Sequence, residues 1–294
     1  MKVAVAKYPI QAPADFAAFA ERQAAVLGAA AAQGARVAVL PEYLSLELAA
    51  TFDAAIQADL HPSLAAIQRY RDDWLALYAR LAASLDMYVV AGTFLLAQGD
   101  GRYRNRCDVF VPQGAHLWQD KLQLTGFEKG LGVIEGGDAL KVFDLDGVRA
   151  GVAVCYDSEF PLHVRAQAEA GARLLLVPSC TDTDAGATRV RVGCLARALE
   201  NRLFVAQSVT AGEAPWSPAL DINTGEAAIF APMDRGLPAD GIVVQTAGDD
   251  LWVLADLDFD ALEQSRAEAQ VANDRDWAGQ WRPALLRARL ERPD

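Results

Sequence analysis

The feature that most constrains this chain is an alternation, beginning at its second residue, of short β-branched apolar runs with Ala-rich stretches of helical character. Strands are expected at 2–8, 36–40 and 87–94, separated by helices at 14–33 and 63–85. Apolar runs of four to eight residues between turn signals read as buried strands, and the longer Ala-rich segments as helices. Further strands at 104–111, 116–119, 140–145 and 148–154 are joined by short Gly turns such as Pro112-Gln-Gly114 and Asp146-Gly147, so the middle of the chain is partly antiparallel. A second alternating half follows, with helices at 162–170 and 186–200 and strands at 174–177, 203–208, 227–230, 241–245 and 251–255. Crossover helices and antiparallel hairpins must both be accommodated. The expectation is an α/β fold, a four-layer α-β-β-α sandwich with two sheets between helical layers. No Pro, Gly or Ser-rich linker interrupts it, so residues 1–258 read as a single domain. Residues 259–294 differ in character, and Trp277 and Trp281 are expected to pack this extension on the body or on a partner subunit.

With 294 residues, 52% of them hydrophobic and 22% charged, the chain can bury a large core. The formal net charge of -12 argues against nucleic acid as a partner, because phosphate binding needs clustered Lys and Arg. Arg189, Arg191, Arg197 and Arg202 do cluster, yet apolar residues interleave them, which suits a helix face or ion pairs. No run has the length of a membrane span, and the first residues lack the basic and apolar regions of a secretion signal, so a cytoplasmic location is expected. The cysteines, Cys107, Cys155, Cys180 and Cys194, never form a CxxC pair, and His61, His116 and His163 have no metal-ligand spacing. No metal site is expected from these spacings.

Four places put an ionisable residue just beyond an apolar strand or in a neighbouring loop. Gly151-Val-Ala-Val-Cys155-Tyr156-Asp157-Ser158-Glu159-Phe160-Pro161 ends a buried strand in a thiol before a helix. Val37-Ala-Val-Leu40-Pro41-Glu42-Tyr43 ends another in a carboxylate, His116-Leu-Trp-Gln-Asp120-Lys121-Leu122 a third in an ammonium, and Phe127-Glu128-Lys129 adds a second carboxylate in a Gly-rich loop. Taken singly, each has an ordinary explanation: a free cysteine is commonly an apolar filler, and a strand-end lysine or glutamate is commonly solvated.

Taken together, Glu42, Lys121 and Cys155 with their flanking residues resemble the nitrilase, or carbon-nitrogen hydrolase, superfamily. Asp120-Lys121-Leu122-Gln-Leu124-Thr125 and Glu135-Gly136-Gly137-Asp138 are similar to its linking segments, and Arg197-Ala-Leu-Glu200-Asn201 to the helix after its nucleophile. The resemblance spans roughly residues 1–258 and implies the nitrilase-type sandwich. It also implies a Cys-Glu-Lys mechanism without cofactor, with Cys155 the nucleophile, Glu42 the general base and acid, Lys121 the oxyanion partner, and Glu128 orienting Lys121 or the substrate amide. Those residue types suit the chemistry, since attack on an amide carbon needs a thiolate, a carboxylate of raised pKa and a fixed positive charge. A homodimer or higher homo-oligomer is implied as well.

Tyr156-Asp157 after the cysteine resembles the amidase and carbamoylase branches, whereas nitrile-hydrolysing members tend to carry Trp-Glu. The expected activity is therefore hydrolysis of a small-molecule amide, with nitrile or N-carbamoyl hydrolysis, acyl transfer or a silent binding role as alternatives. Ser158 and Glu159 stand where related enzymes tend to place arginines that hold a substrate carboxylate, which points to a neutral or amine-bearing substrate, unless Glu159 simply pairs with Arg189 or Arg191. Val177-Pro178-Ser179-Cys180-Thr181-Asp182-Thr183 and Ala214-Pro215-Trp216-Ser217-Pro218 are similar to a poorly characterised subgroup, some of whose members are fused to an acetyltransferase domain. Tyr43, Tyr156, Glu159, Thr181, Asp182 and Trp216 are the expected substrate-binding residues.

Overall fold

A computed structural model describes residues 1–292. Its elements in order are β1 (Lys2–Pro9), α1 (Phe16–Ala32), β2 (Val37–Val39), α2 (Ala54–Gln57), α3 (Leu60–Ile67), α4 (Arg71–Ser84), β3 (Tyr88–Ala97), β4 (Tyr103–Phe110), β5 (His116–Asp120), α5 (Gly126–Leu131), β6 (Ile134–Glu135), β7 (Val142–Leu145) and β8 (Val148–Val152). Then follow α6 (Pro161–Glu169), β9 (Leu174–Ser179), α7 (Asp184–Asn201), β10 (Phe204–Glu213), β11 (Ile222–Asn223), β12 (Ala228–Phe230), β13 (Ile242–Gln245), β14 (Trp252–Asp256), α8 (Phe259–Ala267) and α9 (Asn273–Asp276).

The period-2 alternation of the strands sorts their side chains into two cores. Val3, Val5, Val37, Val39 and Val90 point towards Val152, Leu174, Leu176 and Ala206 of the second sheet. Their neighbours Ala4, Ala6, Tyr8, Ala38, Leu40, Val89 and Ala91 point the other way, against Phe19, Leu27, Leu64, Trp74 and Leu77 of α1, α3 and α4. The small residues on that outer face let the helices approach closely. Helices α6 and α7 cover the far side of the second sheet. The expected four layers are thus present, though the hydrogen-bonded ladder is continuous. The first half of β1 pairs with β2 and β14, and its last three residues, Lys7 to Pro9, switch to β10.

Three differences from the expectation have local causes. The helix expected at 63–85 is two helices broken at a short 3-10 turn, Gln68–Tyr70. Gln68 is pinned to the end of β3 by its side chain, which donates to the carbonyls of Leu64 and Leu95 and accepts from Ala97 N–H. The buried run Leu44–Thr51 forms a 3-10 segment that the pattern did not assign. Glu128, expected in a loop, lies in the first turn of α5, where Thr125 and Glu128 make a capping box.

Within the C-terminal extension, α8 packs through Leu262 and Phe259, whose ring lies 5.5 Å from that of Phe204. Arg202, left-handed at φ 51°, ends α7 and ties it to Asp234 at 2.8 Å and to the carbonyl of Ser265 at 3.0 Å. Trp277 then lies under the Arg165 guanidinium of α6. Among the described residues no helix is long and apolar enough to cross a membrane.

Candidate active site

Three chain corners at one end of the two sheets converge. Beyond β2, Pro41 and Glu42 lead into Tyr43, which is left-handed at φ 62°. The corner is held by Thr93 Oγ1, which accepts from Tyr43 N–H at 2.8 Å, and by Thr210 Oγ1, which donates to the Glu42 carbonyl at 2.9 Å. Gly92 is required beside it. A Cβ there would lie 2.1 Å from the Pro41 carbonyl oxygen, and its φ of +65° is one that L side chains rarely adopt. Beyond β5, Lys121 N–H donates to the Asn105 carbonyl at 2.9 Å, and Gly137 N–H donates to the Lys121 carbonyl at 2.7 Å.

Beyond β8, Cys155 adopts φ 48° and opens a 3-10 turn, Cys155–Glu159, that runs into α6 with Pro161 at its first position. A left-handed conformation at a buried non-glycine residue costs on the order of 1 kcal/mol and persists only where surrounding structure over-determines it. Here the surroundings do so. Asp157 accepts from Val154 N–H on its own turn and from Leu122 and Gln123 N–H beside Lys121, at 2.7–3.1 Å. Ser158 Oγ donates to the Cys155 carbonyl at 2.7 Å, and Arg197 of α7 donates to the Ser158 carbonyl at 2.9 Å. Asp157 thereby joins the ammonium-bearing corner to the thiol-bearing one.

Lys121 sits at the centre of the buried charges. Its Nζ lies 2.8 Å from Glu42 Oε1 and 2.9 Å from Glu128 Oε2, with all three side chains at most 1% exposed. Asn105 Nδ2 donates to both carboxylates, at 2.8 and 3.2 Å, and the Tyr43 hydroxyl donates to Glu128 at 2.9 Å. Burial alone would lower the Lys121 pKa, but the two carboxylates outweigh it and hold the ammonium well above the ordinary lysine value. Burial raises Glu42 above the usual carboxylate range, a shift that Lys121 opposes and Glu128 reinforces. For Glu128, burial is overridden by Lys121 and by hydrogen bonds from Thr125 and Tyr43, which keep it ionised. Burial, followed by the Glu42 carboxylate, raises the Cys155 thiol well above its ordinary value. Burial thus makes the thiol less acidic and the Glu42 carboxylate more basic than either is in water.

A cavity of about 380 Å³ opens in front of these groups. Glu42, Lys121 and Cys155 line it, as do the expected Tyr43, Tyr156, Glu159, Thr181 and Asp182. Glu128 does not; it stands behind Lys121. Trp216 does not either, for it is partly buried against the outer hydrophobic core, and Pro218 and Ala219 of the same loop face the cavity instead. Cys180 also lines it. Its carbonyl accepts from the Cys155 thiol at 3.5 Å, and its own thiol donates to Asn223, with no lysine or glutamate bonded to it. Arg189 approaches Glu159 at 3.9 Å, the pairing weighed from the sequence. Asn105, in mid-strand, is a site residue that sequence reasoning missed. Thr125 was missed too, although the Thr-x-x-Glu spacing of a capping box marks it.

The model of the carbon-nitrogen hydrolase family matches residues 2–262. The chain belongs to that family. A probable hydrolase, YhcX of Bacillus subtilis, is 30% identical over 94% of this chain, which spans about half (53%) of that protein's length. Omega-amidase NIT2-B of Xenopus laevis is 25% identical over 84% of this chain and 85% of its own. Among solved structures, Nit3 of Saccharomyces cerevisiae, a member of the nitrilase superfamily, superposes with a TM-score of 0.74 at 20% identity, covering 94% of this chain and 96% of its own. An amidase from Nesterenkonia sp. does so at 0.69 and 22% identity, over 94% and 96%. At such identities these structures speak to the fold, and they agree with the four layers described above. The family expected from the motifs is thereby shown, and with it a hydrolase class acting on carbon–nitrogen bonds.

Proposed function

We propose that the protein hydrolyses the amide of a small molecule through a thioester on Cys155. The observation that carries the reading is the Lys121 ammonium fixed between Glu42 and Glu128 at the wall of a cavity that also exposes the Cys155 thiol. Glu42 takes the thiol proton as sulfur attacks the amide carbon. The oxygen of the tetrahedral adduct gains negative charge beside Lys121, which its two carboxylates hold in place before reaction, with the Tyr156 N–H as second donor. Glu42 returns the proton to nitrogen, the C–N bond breaks, and ammonia or an amine departs. A water deprotonated by Glu42 then attacks the thioester, giving the carboxylic acid and restoring the thiol. Glu128 and Asn105 position Lys121 and Glu42 without meeting the substrate.

The raised pKa of Glu42 supports its part as base, because a carboxylate of ordinary pKa is too weak a base to ionise a thiol that burial has made less acidic. Similarity to omega-amidases favours amides over nitriles. The test is ammonia release across amides, nitriles and N-carbamoyl compounds. Release from amides first is the expected result. Preference for nitriles, or acylation of Cys155 that only an added amine discharges, would replace amide hydrolysis with nitrile hydrolysis or acyl transfer.

A further inference from the structure

We propose that the cavity selects amides whose end remote from the scissile bond carries a cationic group, an ammonium or guanidinium, and that Glu159 is the residue that recognises it. This deepens the amidase reading and rests on it. Six ionisable side chains of Asp, Glu, Lys and Arg line the cavity, and two of them, Glu42 and Lys121, are bound to each other at 2.8 Å, with Glu128 on the same ammonium behind. At the mouth remain Glu159, Asp182 and Asp221, opposed by Arg189 alone.

The two sides of that balance are built differently. Glu159 closes the same 3-10 turn that Cys155 opens, so the bonds that fix the nucleophile, from Asp157, Ser158 and Arg197, also fix the stem of the carboxylate. Its side chain is 23% exposed. Arg189 projects from α7 with 63% of its side chain exposed, and at 3.9 Å from Glu159 it makes no hydrogen bond there. Such an exposed pair holds weakly, so a substrate cation can displace the guanidinium into solvent at little cost. A half-buried carboxylate without a close partner gains by receiving one. Burial raises the Glu159 pKa while Arg189 opposes the rise, consistent with an incompletely neutralised group. A substrate carboxylate would instead meet three like charges and one exposed arginine. The net charge of -12 acts in the same direction, favouring the approach of cations. Val190, Pro218, Ala219 and Ile222 supply apolar wall for an alkyl spacer between the two ends.

Three amides with the same four-methylene spacer test this: 5-aminopentanamide, hexanamide and adipamate, assayed by kcat/KM for ammonia release. The wild type should prefer 5-aminopentanamide over hexanamide by at least about tenfold, and over adipamate by more. Glu159→Gln should collapse the cationic preference to within about threefold, Glu159→Arg should turn it towards adipamate, and Arg189→Gln should preserve or sharpen it. Added salt should weaken it, since the mouth is partly solvated. Equal or better turnover of hexanamide or adipamate by the wild type, or an unchanged ratio in Glu159→Gln, overturns this proposal and leaves the amidase reading standing. Silence towards all three overturns it too, and only silence extending to a broad amide panel, with no acyl adduct on Cys155, removes the amidase reading as well.

Discussion

Glu42 and Glu47 lie five residues apart on one buried stretch, and by most local measures they are alike. Each is 1% exposed, each has one basic partner, Lys121 at 2.8 Å or Arg22 at 2.7 Å, and burial raises the pKa of each. They differ in what stands in front of them. Glu47 is closed on every side by Tyr8 hydroxyl, Gln11 N–H and Arg22, with Gln23 bonded in turn to Tyr8. Glu42 shares its cation with a second carboxylate and faces a cavity that holds a thiol. A perturbed carboxylate marks a candidate site only where it meets open space and a group to act on. The first of the pair is read as chemistry and the second as architecture.

That contrast can be broken in order of expected effect. Glu42→Gln should lower kcat/KM by about a thousandfold while leaving the melting temperature nearly unchanged, because it removes the proton acceptor and keeps the shape. Activity within tenfold of wild type would remove Glu42 from the mechanism. Lys121→Met should cost about a hundredfold or more in kcat. It should also leave Glu42 and Glu128 buried without their cation, so both would titrate above the ordinary carboxylate value of about 4.3. A group whose folded pKa is raised stabilises the fold below its unfolded pKa and loses that contribution as pH rises. Denaturation of this variant should therefore show a steeper loss of stability from mildly acid to neutral pH than the wild type shows.

Glu47→Ala should invert the pattern, costing about 2 kcal/mol of stability through the lost bonds to Tyr8, Gln11 and Arg22, while kcat/KM stays within tenfold. A larger loss of activity than of stability would erase the distinction drawn above. The smallest effect is a slope. Glu47 is pushed up to about 7 by burial, so its stabilising contribution is full below about pH 4.3 and fades as pH rises through about 7. Glu47→Gln should flatten that part of the stability curve, and an unchanged curve would show that Glu47 is ionised throughout.

Much of this site was legible in the sequence because Glu42, Lys121 and Cys155 stand at three strand ends in one family order, although each alone has an ordinary explanation. Cys155 and Glu42 each follow an apolar run and Lys121 follows the mixed strand His116–Asp120, and strand ends of layered sheets meet at one edge. Asn105 was not legible, since it sits in mid-strand on β4, and only the pairing of β4 between β3 and β5 brings it to the two glutamates. Trp216 shows the opposite limit. Its loop was rightly brought to the cavity, but loop length does not fix which side chain turns inward. The break at Gln68 depends on bonds to β3 that no helical periodicity records.

The central claim is that Cys155 carries the acyl group. Acid quench of the enzyme turning over a small amide, followed by peptide mass spectrometry, measures this directly. The expected result is an acyl mass on the peptide containing Cys155, with ammonia released in step, and neither adduct nor turnover in a folded Cys155→Ala variant. An adduct on Cys180, or turnover persisting in Cys155→Ala, would contradict it.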